Sequence, residues 1–247
     1  LLRIVNGNEA APGSWPWLVS MHGGLDETFF CGASIYNERW LITAAHSSNI
    51  PAWTLKAGAA RRHTYSRHRQ VRKAKRLFVH PDFIQVDNDI ALIQLEEPFI
   101  FTDYVRPVCL PKESDPPAEG SKCLAAGWGR PSETANHYMR AMQELYLDVV
   151  NWKHCKNVVE NAEQKLPYKI SKNMFCAGGT IGHDACSGDS GGPFVCKKEN
   201  TTDEWVQYGI VSWGVGCAVP NVPGIYTVLP HYLDWIKEVI ANNTDPF

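Results

Sequence analysis

The chain has 247 residues, a formal net charge of −2, 44% hydrophobic residues and 20% charged residues. That length supports one or two domains with a substantial buried core, and the near-neutral charge gives no footing for nucleic-acid binding. No apolar run is long enough to cross a bilayer, and the first residues do not have the form of a signal peptide.

In chain order, short β-rich runs dominate. Ala33-Ser34-Ile35-Tyr36 and Trp40-Leu41-Ile42-Thr43 come first, the second leading into Ala44-Ala45-His46. Ile90-Ala91-Leu92-Ile93-Gln94-Leu95 follows Asn88-Asp89, and Val206-Gln207-Tyr208-Gly209-Ile210-Val211-Ser212 comes late. Gly, Pro, Asn and Asp separate them, as in barrels or sandwiches. Some runs alternate in polarity, while others are apolar almost throughout and fit strands buried on both faces. Leu233, Ile236, Val239 and Ile240 recur at helical spacing and predict a terminal amphipathic helix. Periodicity alone therefore argues an all-β chain closed by a helix.

The chemistry concentrates in Asp184-Ala185-Cys186-Ser187-Gly188-Asp189-Ser190-Gly191-Gly192-Pro193. A serine hydroxyl is a weak nucleophile until a base takes its proton and donors receive the resulting oxyanion. Glycines on both sides allow a tight turn that aims the Gly188 and Ser190 N–H groups at one oxygen. The same tetrapeptide also reads as an ordinary Ser/Asp turn. His46 and Asp89 upstream supply a base and a carboxylate, and the order His, Asp, Ser is one known for nucleophilic triads. Esterases with such triads use another order and a Gly-x-Ser-x-Gly elbow, whose spacing Ser190 does not have.

Together with Ile4-Val5-Asn6-Gly7, Trp15-Pro16-Trp17, Gly127-Trp128-Gly129, Ser212-Trp213-Gly214 and Pro223-Gly224-Ile225-Tyr226, these motifs resemble the chymotrypsin-like serine proteases. The resemblance implies His46 as general base, Asp89 as its orienter, Ser190 as nucleophile, and Gly188 with Ser190 as the oxyanion hole. It implies two packed antiparallel six-stranded β-barrels with a C-terminal α-helix. The N-terminal barrel is expected over about 17–112, the C-terminal barrel over about 121–230 and the helix over about 231–242, with Pro116–Gly120 near the crossover. Residues 4–247 would form the peptidase domain, and residues 1–3 a residual activation segment. Cutting between Arg3 and Ile4 would free an ammonium to pair with Asp189, the residue before the nucleophile.

Eight cysteines are present, without paired Cys-x-x-Cys spacing or a His-Glu-x-x-His helix, so a disulfide framework is favoured over metal and no metal or cofactor is expected. Spacing leaves the connectivity open. The resemblance implies Cys123–Cys196, Cys155–Cys176 and Cys186–Cys217, the last bracing two walls of the substrate pocket. Ser47 stands where Cys31 would find its partner, so Cys31 is expected to be a buried free thiol. Cys109 matches a position that in many relatives bonds an upstream segment. No cysteine precedes Ile4 here, so a light chain or stem is expected as its partner. A secreted or extracellular setting follows, including the ectodomain of an anchored precursor. Asn200 and Asn242 head sequons that carry glycans in that setting.

Substrate choice falls on Asp184, Ala185, Ser212, Gly214 and Gly224. Asp184 lies where trypsin-like relatives place a carboxylate at the pocket base, and the two glycines leave room for a long side chain. Ala185 offers no hydroxyl to a lysine ammonium, whereas Arg can still pair bidentately with Asp184; Arg is expected over Lys.

The interval Arg39–Pro81 holds ten Lys/Arg and no acid. Arg61, Arg62, Arg67, Arg69, Arg72, Lys73, Lys75 and Arg76 form its dense part, an expected exosite for a polyanion or an acidic protein partner. A solvated face without function is the rival reading. Ala59 and Arg69 stand at two positions where calcium-binding relatives carry acids, so calcium is not expected there. Two functional classes remain: an endopeptidase, or a catalytically silent protease-like binding protein.

Overall fold

The alternating and the wholly apolar runs resolve into two barrels. The computed structural model describes residues 7–49, 53–112, 116–161, 168–179, 185–198, 204–215, 217 and 219–243. Its first strands are β1 (Asn8–Glu9), β2 (Leu18–Gly23), β3 (Thr28–Ile35), β4 (Trp40–Thr43), β5 (Thr54–Ala57), β6 (Gln70–Val79) and β7 (Ala91–Leu95). Then come β8 (Lys122–Gly127), β9 (Gln143–Val150), α1 (Trp152–Glu160), β10 (Met174–Ala177), β11 (Pro193–Lys197), β12 (Trp205–Trp213), β13 (Gly224–Val228) and α2 (Leu233–Asn242).

One barrel closes in the order β2-β3-β4-β7-β6-β5, with β5 returning to β2. The other runs β9-β10-β13-β12-β11-β8, and pairing of β8 with β9 closes it, while β1 adds to the start of β9. All pairings between these strands are antiparallel. Two six-stranded barrels and a terminal helix are thus the architecture that the resemblance implied.

Burial explains the mixture of sequence patterns. Every residue of β2 and β7 is buried, whereas β9 alternates between buried and more exposed positions. Val19, Ile35, Leu55 and Ile93 fill the first barrel; Leu145, Phe175, Phe194 and Tyr226 fill the second. A third cluster joins the barrels, packing Ile42, Ile90 and Leu92 against Ile210, Leu229 and Ile236. Full burial of one such side chain contributes about 1.5–3 kcal/mol. Because Ile90 adjoins Asp89 and Ile210 lies two residues before Ser212, this seam sets the two walls of the central cleft in register.

The terminal helix begins as a 3-10 turn over Leu229–Tyr232, with Pro230 in its first positions, and becomes α-helical at Leu233. Helix α1 has no counterpart in the sequence reading. Asn151 caps it, accepting from the N–H groups of Lys153 and His154, and only Cys155 and Val159 are buried. Three disulfides occur: Cys123–Cys196 across neighbouring β8 and β11, Cys155–Cys176 between α1 and β10, and Cys186–Cys217. Cys31 is buried and free, and Cys109 is exposed and free.

Candidate active site

His46 leaves β4 on a 3-10 turn, Ala45–Asn49. Asp89 approaches it from the start of β7, behind Asn88 at φ 53°, a left-handed conformation that Asn tolerates better than most residues. Tyr232 Oη and Asn173 Nδ2 both donate to Asn88 Oδ1, at 3.0 Å each, and hold that turn.

The Asp89 carboxylate is buried and accepts three hydrogen bonds. Oδ1 accepts the His46 backbone N–H at 2.9 Å, and Oδ2 lies 2.7 Å from His46 Nδ1. Ser212 Oγ donates to Oδ2 at 2.5 Å. An ionised carboxylate only accepts, so Nδ1 is the donor, and in the neutral ring Nε2 then keeps the lone pair. That is the tautomer a general base requires. Ser212 had been expected as a pocket residue; it borders the pocket, but its hydroxyl belongs to Asp89.

Ser190 is tied to both barrels. Its carbonyl accepts the Gly32 N–H of β3 at 2.8 Å, Gly191 N–H reaches the Val211 carbonyl at 2.8 Å, and Val211 N–H returns to Gly192 at 2.9 Å. Gly191 has φ 77° and presses so close to Thr43 and the Gly32 carbonyl that no Cβ fits. Gly188 has φ 99°. Among the described residues the Gly188 and Ser190 N–H groups donate to no backbone acceptor, beside a half-buried serine hydroxyl. Nor does Ser190 Oγ bond His46 among those residues; such contacts often tighten only in the substrate complex.

Asp189 points away from the cleft into the protein. Its carboxylate is buried and accepts N–H groups of Gly129 at 2.7 Å and Cys186 at 3.1 Å. Burial pushes its carboxyl up to about 6, against the pull of the two N–H donors.

The sequence profile described as Trypsin matches residues 4–236. The chain belongs to the trypsin family. It is also 36% identical over 241 residues to ovochymase of Halocynthia roretzi, an alignment covering 95% of this chain and 15% of that protein. The chain therefore spans about 15% of the length of that curated relative.

In this trypsin-family chain the cavity beside Ser190 has a volume of about 260 Å³. Ala185 and Cys186 form one wall, Val211 to Gly214 a second, and Gly224 to Tyr226 a third. The Cys186–Cys217 bridge joins segments on both sides of it. Exposed Glu133 stands at its edge, a residue with no sequence signal because it lies in a polar loop. Arg3, Ile4, Asp184 and Asn200 lie outside the described residues, while Asn242 is exposed in the last turn of α2.

Much of the basic interval is engaged within the chain. Arg61 pairs with Glu9, Lys73 with Glu27 and Thr54, and Arg72 donates to the Pro98 carbonyl. Arg69 Nη2 reaches the carbonyls of Arg61, Arg62 and Thr64, at 2.7–3.0 Å, and so organises the loop. Arg76 donates to Gln94, Arg67 to His68, and Lys75 lies on β6. Arg62 donates to the Met139 carbonyl and packs over Phe29, apart from the rest of the basic run.

Proposed function

We propose that this chain is a secreted serine endopeptidase that hydrolyses peptide bonds after Arg, and less readily after Lys. The observation that carries the reading is the Asp89 carboxylate gripping His46 Nδ1, beside a serine where the Gly188 and Ser190 N–H groups have no backbone acceptor among the described residues. Ser190 Oγ attacks the scissile carbonyl while His46 Nε2 takes its proton. The oxyanion rests on Gly188 and Ser190 N–H, and preorganised donors of this kind are worth about 3–4 kcal/mol each. His46 then protonates the leaving amine, giving an acyl-enzyme that water resolves by the same steps.

The open cavity with Gly214 and Gly224 on its walls supports entry of a long side chain. Asp184 supplies the charge in this reading, and Ala185 favours Arg, since a guanidinium pairs bidentately without a neighbouring hydroxyl. Activation proceeds by cutting Arg3–Ile4, after which the Ile4 ammonium pairs with buried Asp189. Residues 4–247 form the peptidase domain on this reading. Exposed Cys109 receives an upstream light chain or stem, and three disulfides fit an oxidising compartment. The loop around Arg61, Arg67 and Arg69, above a cavity of about 290 Å³, takes a polyanion or an acidic protein segment.

A serine-directed phosphonate tests the catalytic reading against that of a silent binding protein. Cut protein should label at Ser190 in a time-dependent manner, and Ser190→Ala should not label. Absence of labelling in the cut wild type would sink the endopeptidase. Coumarin amides of Arg, Lys and Phe test the pocket: Asp184→Ser should erase most of the Arg rate, and an unchanged Arg preference would place the charge elsewhere.

A further inference from the structure

Gly188, two residues before Ser190, is flanked by an aromatic and cationic cluster that does not line the cavity. Tyr138 meets Phe29 edge-on, with ring centroids 5.0 Å apart, and lies so near Gly188 that a Cβ there would strike its ring. The Arg62 guanidinium sits 4.5 Å over Phe29 and 5.9 Å from the Tyr138 centroid; that of Arg130 sits 5.5 Å over Tyr138. Arg130 is anchored beside the oxyanion segment, its backbone N–H donating to the Ser187 carbonyl at 2.8 Å.

Two cations thus share one ring. Among the described residues neither Arg62 nor Arg130 forms an ion pair. Arg62 Nε is used on the Met139 carbonyl at 2.9 Å, but Arg130 Nε is buried and has no hydrogen-bond partner among the described residues. A buried donor left unpaired costs about 1–3 kcal/mol, which is recovered when an acceptor arrives. Glu133, the acid nearest Arg130 in sequence, borders the substrate cavity instead. Burial also lowers Arg62 from its ordinary value, and His63 beside it is lowered by burial and by the charges of Arg62 and Arg140. Four basic residues, Arg61, Arg62, Arg130 and Arg140, thus lie in or beside this cluster and the loop next to it.

This inference rests on the endopeptidase reading. The acyl part of a substrate occupies the cavity bounded by Val211 to Gly214, so the leaving peptide must depart on the Tyr138 side. We propose that Arg62 and Arg130, set over the Tyr138 ring, form a subsite for a carboxylate within the first three residues after the scissile bond. The enzyme then reads two charges of opposite sign, a basic side chain before the bond and an acidic group after it. Arginine pairs with carboxylates through charge-assisted hydrogen bonds about twice as strong as neutral ones, and an aromatic bed keeps the guanidinium oriented.

The test uses full chain cut to begin at Ile4 and internally quenched peptides with Arg before the bond and a C-terminal carboxamide. Glu, Gln and Lys are placed in turn at the first, second and third positions after the bond. At one position kcat/KM should favour Glu over Gln by about tenfold, corresponding to 1.4 kcal/mol, and Gln over Lys. Peptides ending in a free carboxylate at the second or third position separate a chain terminus from a side chain as the source; a gain from either supports the subsite. Arg62→Gln and Arg130→Gln should each lower the Glu:Gln ratio, and together bring it near one, whereas general damage lowers both peptides alike. Should the double variant fail to fold, the single variants and a salt series on the wild type carry the test, because screening must shrink the ratio. Glu:Gln ratios within about twofold of one at all three positions, with no gain from a free terminus, overturn the subsite, as does a ratio unmoved by the substitutions. Inactivity toward an Arg coumarin amide, which carries no leaving peptide, would instead be a failure of the endopeptidase reading.

Discussion

Ser212 Oγ and Asp89 Oδ2 meet at 2.5 Å across the junction of the two barrels, 123 residues apart in the chain. The bond gives the second barrel a direct hold on the carboxylate that orients His46, and it fills a lone pair on a buried acid.

Ser212→Ala should therefore lower kcat more than it raises KM. A hydrogen bond to a buried charge is worth about 1.5–3 kcal/mol, or roughly 10- to 150-fold if its loss is felt wholly in the transition state. Ser190→Ala should cost several orders of magnitude while leaving thermal unfolding near that of the wild type. Steady-state kinetics on an Arg amide distinguish the cases. A Ser212→Ala enzyme with unchanged kcat would mean that the backbone N–H of His46 suffices to hold Asp89.

The Cys31 thiol lies 2.6 Å from Ser47 Oγ in a buried site, and burial raises it to about 12. At neutral pH it is an un-ionised thiol and should resist alkylation. Exposed Cys109 should react first, giving one adduct by intact mass in native buffer and two after denaturation. Ser47→Cys should form a disulfide with Cys31. Closing a loop of this size, with a separation of 16 residues, should add about 3 kcal/mol on the chain-entropy model. Two free thiols persisting at these positions after air oxidation would show that the side chains cannot reach bonding geometry.

The segments that carry His46, Asp89 and Ser190 were legible because the composition of each is dictated locally: glycines around Ser190, an apolar strand before His46, and another after Asp89. The barrels were legible as β-structure from the same alternation, but their closure came from the family resemblance, since strand order depends on pairings no periodicity encodes. Three features were hidden for physical reasons. Ser212 reaches Asp89 only after the barrels dock. Arg62, grouped by sequence with a basic run, turns away from it because Phe29 and Tyr138 offer an aromatic bed. Helix α1 buries only Cys155 and Val159 over nine residues, too little apolar signal to show a period, although Asn151 is a good cap.

His22 is buried between Ser20 and the Glu27 carbonyl, at 3.0 Å from each, and burial lowers it to about 4. The unfolded chain takes up a proton near pH 6.5 and the folded chain only near 4, so stability present above 6.5 is lost as pH falls through that window. The full effect is roughly 3 kcal/mol. Thermal midpoints recorded from pH 7 to pH 4 should fall less steeply in His22→Gln than in the wild type. Parallel curves would mean that His22 becomes exposed and protonated without unfolding the barrel.

Asp189 carries the opposite sign. Its carboxyl is raised to about 6 by burial, above the 3.8 of an ordinary aspartate. In an uncut chain the folded state thus binds a proton that the unfolded state releases, and stability present below about pH 4 is lost as pH climbs through 6. The loss amounts to roughly 3 kcal/mol, since each unit is 1.36 kcal/mol. A freed Ile4 ammonium would remove that penalty by pairing with the carboxylate. An α-amino group ordinarily titrates near 8, and an anionic partner raises it, so the pair holds at neutral pH and fails as pH passes the raised value. Two proteins make the comparison: an Arg3→Gln chain that resists cutting, and a cut sample whose first residue is Ile4. Their thermal midpoints should nearly coincide at pH 4, separate by pH 6 in favour of the cut form, and converge again in alkali. Activity toward an Arg amide should appear only in the cut form and decline over the same alkaline range. A difference in midpoint that is constant from pH 4 to pH 9, or equal activity in the two proteins, would remove Asp189 from the activation step.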